Sequence, residues 1–397
     1  MIHNINKTHS KLSTLVIGFD AGSRVESVGE YNDGIAHMLE HCIFKGTNRR
    51  DWHKIQKDIG FLGGDINAFT SHEMVAYHIT VPYENIEEAM DIMSDMVMNS
   101  QVPEEEFLRE KQVVIEEEIS RSDDVHSYMW NNFSNKFFDN YLSNPVIGTQ
   151  DSINSFTSEE VKRFYKQFCG IENAVISLCS NQTRKRSKEL LKSYFGKPTG
   201  KISNNSAFSQ SLYSDANDMN ITKPGIEHTY VWVGYPSIPI GHELSSASNL
   251  MMTILGSGMD SRLFSEVREK RGLAYGIDSS NNQWNYGSLA MISSSTREHN
   301  LDEMLSVIGS EVDLIRSKAV DEEELQRAKN KMKSVFYHLI EDSYGVAMRS
   351  VRQKLWSLKT LDQLVEDINK VSIEDVMKAA NIIFDESKKT TLVCRGE

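Results

Sequence analysis

Three segments in the first half of this chain are answered, in the same order and at nearly one spacing, in the second half. Leu15-Val16-Ile17-Gly18-Phe19 matches Val231-Trp232-Val233-Gly234-Tyr235, which sets Gly18 on Gly234. Val102-Pro103-Glu104-Glu105-Glu106-Phe107 matches Val320-Asp321-Glu322-Glu323-Glu324-Leu325, which sets Val102 on Val320. Thr157-Ser158-Glu159-Glu160-Val161 matches Ser372-Ile373-Glu374-Asp375-Val376, which sets Thr157 on Ser372. One such match means little, but three in order at nearly one spacing point to two copies of one fold. The 397 residues give each copy enough chain for its own core. We expect a first domain over 1–200, a linker over 201–226 and a second domain over 227–397. The linker rests on Lys201-Ile202-Ser203-Asn204-Asn205-Ser206 and the polar residues that follow.

Within each copy the pattern reads strand, helices, strands, then long helices. Residues 68–81 alternate as strand. Residues 85–99 carry Ile86, Ala89, Met90, Ile92, Met93 and Met96 at helical spacing, a stripe suited to core packing. Long helices over an antiparallel or mixed sheet make an α+β, two-layer domain.

The chemistry begins at His37-Met38-Leu39-Glu40-His41. Helical residues four apart lie one above the other, so His37 and His41 can aim two imidazoles at one point, with Glu40 beside them. This H-x-x-E-H order is a zinc-hydrolase signature. Two histidines are not a complete site, because catalytic zinc usually holds three protein ligands and leaves a fourth position open. Pro103 followed by Glu104-Glu105-Glu106 predicts a helix over about 103–120, which carries Glu116-Glu117-Glu118. Successive helical residues point about 100° apart, so only one of these three can face the histidines. The spacing does not choose which. Cys42 follows His41 directly and falls about 100° around the helix, away from the cation.

Further stretches carry a resemblance. Gly34-Ile35-Ala36-His37-Met38-Leu39-Glu40-His41, Phe44-Lys45-Gly46-Thr47 and Gly63-Gly64-Asp65-Ile66-Asn67-Ala68-Phe69-Thr70 are joined by Val113-Val114-Ile115-Glu116-Glu117 and Gly148-Thr149. The second half adds Ser261-Arg262-Leu263-Phe264-Ser265-Glu266-Val267-Arg268-Glu269-Lys270-Arg271-Gly272-Leu273-Ala274-Tyr275. With these the chain resembles the pitrilysin, insulinase and mitochondrial processing peptidase family of inverted zincins, from about residue 14 to the end except 200–226. The resemblance implies two similar α/β roll domains and Zn²⁺ as cofactor. It also implies a third ligand at a set distance beyond the second histidine, which falls on Glu117. It makes Glu110 a support for the site and Glu40 the group that activates water. It gives Asn67, Ala68 and Phe69 to an edge strand that binds peptide by strand addition. Arg268 and Tyr275 are, by the same resemblance, contacts to the substrate. On residue type alone, Arg268 reads as a surface ion pair with Glu266 or Glu269, and Tyr275 as a half-buried strand aromatic. Half-length members of the family act as paired chains, so a homodimer is expected, or a heterodimer with a related subunit.

The second copy has no metal site of its own. The same offsets carry His37, Glu40 and His41 onto Thr253, Gly256 and Ser257, and Glu117 onto Val335.

The sequence therefore predicts a zinc-dependent endopeptidase acting on unfolded or extended peptides. The alternatives are a non-catalytic assembly subunit of a larger complex, one subunit of a heterodimeric processing peptidase, or a zinc hydrolase of something other than peptides. A formal net charge of −13 argues against a nucleic-acid partner, which needs clustered Lys and Arg. No run of 18 apolar residues occurs, so no membrane span is expected. Four scattered cysteines without C-x-x-C spacing, and a start lacking a signal peptide's apolar core, fit a cytoplasmic protein with reduced thiols.

Overall fold

The computed structural model describes residues 1–200, 213–215 and 217–396. Among these residues two five-stranded sheets form. The first contains β1 (Ile2–Lys7), β2 (Leu12–Phe19), β3 (Asp65–Thr70), β4 (Val75–Pro82) and β5 (Ala174–Ser180), in the order β1-β5-β2-β4-β3. The second contains β6 (Asp218–Thr222), β7 (Thr229–Pro236), β8 (Ala274–Trp284), β9 (Gly287–Thr296) and β10 (Thr390–Arg395), in the order β6-β10-β7-β9-β8. Raising every strand number by five turns one order into the other. In each sheet the pair at one end, β1 with β5 and β6 with β10, is parallel, and the remaining pairs are antiparallel. The register repeats as well. Gly18 lies opposite Ala76 and Val175, while Gly234 lies opposite their counterparts in the second copy, Met291 and Thr390.

Both sheets are mixed and covered by helices, the α+β architecture expected. The central strands are buried on both faces, which explains their near-continuous apolar runs. Leu15, Ile17 and Phe19 of β2 enter the main core of the first sheet. On the opposite face, Val16, Ala76 and Val175 pack against Ala347, Val351 and Leu355 of the helix Ser343–Trp356. The second sheet mirrors this arrangement. Val231, Val233 and Tyr235 face its main core, whereas Trp232, Leu289 and Met291 pack against Met129, Phe133 and Phe137 of the helix Val125–Phe137. Each covering helix comes from the other half of the sequence. The two are equivalent, since the offset that sets Val102 on Val320 also sets Val125 on Ser343 and Phe133 on Val351. Each crosses its sheet over a glycine. A Cβ at Gly18 would overlap Val351, and one at Gly234 would overlap Phe133.

This exchange shapes the compact units. One contains Met1–Asp123, Asn144–Ala207 and Tyr337–Leu358, and the other contains Asp124–Ser143, Phe208–Phe336 and Lys359–Glu397. Cuts at 200 and 227 miss the two traded segments, because a sheet's second apolar face must be covered whichever part of the chain supplies the cover. Of the stretch 201–226 read as a linker, 201–212 and 216 lie outside the described residues, and Asp218–Thr222 is strand β6. The strand expected over 68–81 is two strands, β3 and β4, because Ser71-His72-Glu73 makes the turn between them. The helices expected over 85–99 and 103–120 run Ile86–Asn99 and Glu104–Asp123.

Candidate metal centre

The helix Ile35–Ile43 presents the H-x-x-E-H residues, and its start is fixed by backbone and side chain together. Gly34, its N-cap, has φ +98°, a conformation that favours glycine, and a Cβ there would run into the carbonyl of Ile147. The first turn is then capped by a residue that sequence reading did not single out. Glu26 accepts the N–H of Gly34 at 3.1 Å and that of Ala36 at 2.9 Å, placing a carboxylate at the positive end of the helix. Glu26 is buried, and burial pushes its carboxyl well above the usual range despite these two bonds.

Along the same helix, the imidazoles of His37 and His41 face one another with ring centroids 4.8 Å apart. The helix Glu104–Asp123 passes beside them and delivers Glu117. Its Oε2 lies 3.4 Å from His41 Nε2 and 3.8 Å from His37 Nε2. One ligand atom from each of the three residues falls within 4.8 Å of the others, the only such group of three among the described residues. Glu118 points elsewhere, accepting from Ser122 Oγ at 2.9 Å and from Gln150 Nε2 at 2.8 Å. The fold brings together His37, His41 and Glu117.

The surroundings of the two histidines differ. His41 Nδ1 lies 3.1 Å from Glu110 Oε2, and Glu110 also takes Lys45 Nζ at 2.7 Å. One helical repeat separates Glu110 from Glu117, so a single helix supplies both carboxylates. A carboxylate on the far ring nitrogen is the usual way to orient a metal-binding histidine. Burial disfavours charge on His41, but hydrogen bonds to Glu110 and Glu117 outweigh it and raise its pKa to about 9. His37 goes the other way, lowered to about 4 by burial and by His41. Its Nδ1 is buried without a hydrogen-bond partner among the described residues. Glu117 is held down at about 2, first by its hydrogen bond to His41, and Arg121 also grips it through Nη2 at 2.8 Å.

Glu40 sits between this group and the sheet. Its Oε2 accepts the Thr70 hydroxyl at 2.8 Å, and burial raises its pKa while that bond opposes the rise. Thr70 ends β3, which also carries Asn67, Ala68 and Phe69. Among the described residues β3 is the last strand of its sheet and pairs only with β4, and no other described strand engages its outer edge. On β3 itself, Asn67 Oδ1 accepts the Ala68 N–H at 2.8 Å.

In the other compact unit, Arg268 and Tyr275 stand together. The Arg268 guanidinium lies 4.8 Å from the ring centroid of Phe264 and 4.8 Å from that of Tyr275. Tyr275 is 86% exposed, at the start of β8 where the register with β9 shifts, so it is not the half-buried strand aromatic that residue type suggests. Arg268 Nε is 3.6 Å from Glu269, while Glu266 is bonded to Lys270 and Arg271.

Two imidazoles and a carboxylate make the donor set that zinc favours. The Glu110 bond to Nδ1 leaves Nε2 of His41 turned toward Glu117, which suits a cation between them. The residues present therefore fit the group.

Comparison with known proteins gives the family and the fold. The family described as insulinase, peptidase family M16, matches residues 2–150, and the one described as the peptidase M16 inactive domain matches residues 155–332. The chain belongs to the M16 family. Among M16 relatives, an uncharacterized zinc protease of Rickettsia bellii is 29% identical over 94% of this chain and 90% of its own length. The uncharacterized zinc protease YmxG of Bacillus subtilis is 28% identical over the same shares. The fold is shared with a protease from Helicobacter pylori, at a TM-score of 0.87 and 23% identity, covering 98% of this chain and 95% of that one. His37, Glu40, His41 and Glu117 do not recur in the second copy, where the equivalent positions hold Thr253, Gly256, Ser257 and Val335. No helix among the described residues is long and apolar enough to cross a membrane, and all four cysteines are free and buried.

Proposed function

We propose that this M16 protein is a zinc-dependent endopeptidase that cleaves unfolded or extended peptides. The observation that carries the reading is the convergence of His37, His41 and Glu117 within 4.8 Å, next to a glutamate tied to an edge strand. His37, His41 and Glu117 would hold the zinc, and Glu110 would position His41. Bound there, zinc would supply a Lewis acid that polarises a peptide carbonyl and acidifies water.

The chain's own residues do the rest. A peptide adds to the open edge of β3 along Asn67, Ala68 and Phe69, and main-chain pairing holds many sequences in one extended register. Glu40 takes a proton from the attacking water as the oxygen adds to the carbonyl carbon. It returns that proton to the nitrogen as the C–N bond breaks. The Thr70 bond keeps one oxygen of Glu40 turned toward β3. Arg268 and Tyr275 offer hydrogen-bond donors to the substrate carbonyls. The stack of Arg268 between two rings supports this, since it leaves a guanidinium pre-oriented beside an exposed phenol. We read the active form as a pair of chains, by resemblance to half-length members of the family. An assembly subunit without activity is the weaker reading, because the metal donors and Glu40 are all present.

The test is to incubate the purified protein and Glu40→Gln with a mixture of unstructured peptides and read the products by mass spectrometry. Glu40→Gln should keep its zinc and lose cleavage by roughly a hundredfold or more. No cleavage by the unaltered, zinc-loaded protein would overturn the enzymatic reading.

A further inference from the structure

On the helix Glu104–Asp123 two arginines each pair with the glutamate four residues before, Arg109 with Glu105 and Arg121 with Glu117. The duplication separates their roles. The offset that sets Val102 on Val320 also sets Glu105 on Glu323 and Arg109 on Arg327, and these two are paired at 2.7 Å on the helix Glu322–His338. That pair recurs in a copy without the metal donors, as an ordinary solvated pair would. The same offset sets Glu117 on Val335 and Arg121 on Leu339, both apolar and both exposed. It sets Glu110, which holds His41, on Ala328. Arg121 is therefore absent from the copy that also lacks Glu117 and Glu110, although its position stays at the surface there.

Arg121 also divides the carboxylate it meets. Its Nε donates to Glu117 Oε1 at 2.9 Å, and its Nη2 lies 2.8 Å from the same oxygen. The other oxygen, Oε2, is the one turned to the imidazoles, 3.4 Å from His41 Nε2 and 3.8 Å from His37 Nε2. His41 is divided in the same way, with Nδ1 on Glu110 and Nε2 toward Glu117. In each of these two residues a neighbouring side chain occupies one polar atom and leaves the other for a cation. An exposed pair of this kind adds little to helix stability, so what matters is which oxygen it takes.

We propose that Arg121 is a positioning residue of the metal centre: it reserves Oε1 of Glu117, so that the carboxylate offers a metal ion only Oε2. A carboxylate can hold a cation through one oxygen or through both, and one that used both would crowd the open position that a catalytic site keeps. Groups that hold a ligand from behind commonly matter for activity as much as for metal retention. Arginine suits the task, because its charge is permanent and its donors are fixed in one plane. The proposal rests on the reading of His37, His41 and Glu117 as metal ligands.

The test loads the metal-stripped protein with Co²⁺, whose visible absorption weakens as further donors join a four-coordinate site. Arg121→Met should weaken these bands, because Oε1 is then free to join Oε2. With zinc bound, the same variant should lose roughly tenfold in kcat at unchanged KM. Arg109→Met removes the pair that recurs without a metal, and it should change neither spectrum nor kcat. Arg121→Lys keeps the charge and one donor, and it should recover part of the spectral change. An unaltered spectrum in Arg121→Met would overturn the proposal. So would an equal change in Arg109→Met, or no recovery in Arg121→Lys. The spectra need no peptide, so a protein that shows the bands and cleaves nothing fails the peptidase reading alone. An unaltered chain that shows no bands overturns the metal reading and this proposal together.

Discussion

Thr70 donates its hydroxyl to Glu40 at 2.8 Å, joining the end of edge strand β3 to the helix that carries both histidines. The strand assigned to the peptide and the residue assigned to the proton are thereby held in one frame. Thr70→Val keeps the side chain's shape and removes that bond. It should lower kcat roughly tenfold while zinc content stays unchanged. Steady-state kinetics with zinc analysis of the same sample checks it, and a loss of zinc would mean that Thr70 serves the metal instead.

Adjacent glutamates should behave differently. Glu117 faces the imidazoles, and Glu118 is occupied by Ser122 and Gln150. Dialysed Glu117→Ala should lose most of its zinc, a drop in affinity of roughly a hundredfold or more, while Glu118→Ala keeps a full complement. Zinc retained by Glu117→Ala would remove it from the ligand set.

Pairing of chains can be read by complementation. Glu40→Gln and Arg268→Ala should each be inactive alone. If Arg268 serves the partner's metal centre, a mixed dimer regains one intact site, and mixing should restore roughly half the activity per mixed dimer. Mixtures that stay silent, with exchange of chains confirmed by mass, would refute action in trans.

The exchanged helices predict a paired stability effect. Gly18→Ala should destabilise by about 1–3 kcal/mol, because its Cβ overlaps Val351 in a closely packed face. Val351→Ala in the same chain should recover part of that loss, although each change is harmful alone. Urea unfolding of the four proteins forms the double-mutant cycle. Simple additivity would show that helix and strand are not in contact.

Acid should act through His72. Burial pushes its pKa down to about 4, whereas the unfolded chain takes up a proton near 6.5. The unfolded state therefore binds more protons between those values. Stability should fall as pH drops from 6.5 toward 4 and level off below, by up to roughly 3 kcal/mol. His72→Gln should show a smaller decline than the unaltered chain, both freed of metal by chelator. Equal urea midpoints at each pH would clear His72.

How much of this was legible beforehand differs from residue to residue. His37, Glu40 and His41 were readable because their relation is local: helix geometry alone sets residues four apart on one face. The duplication was readable because three segments recur in the same order at nearly one spacing. Glu117 was narrowed to three neighbours by spacing and named by resemblance, and the fold brings that one to the imidazoles. Glu26 carried no signal, since a cap supplied from ahead of its helix depends on how the intervening loop folds back. The traded helices Val125–Phe137 and Ser343–Trp356 were equally silent, because an amphipathic pattern says that a face must be buried and never against which sheet. The sequence by itself determined the periodic and local features: two copies, the helices over 85–99 and 103–120, and the motif. Only the tertiary structure decided which distant groups meet, Glu110 with His41, Thr70 with Glu40, Val351 over Gly18, because those contacts follow from long-range packing that no local spacing encodes.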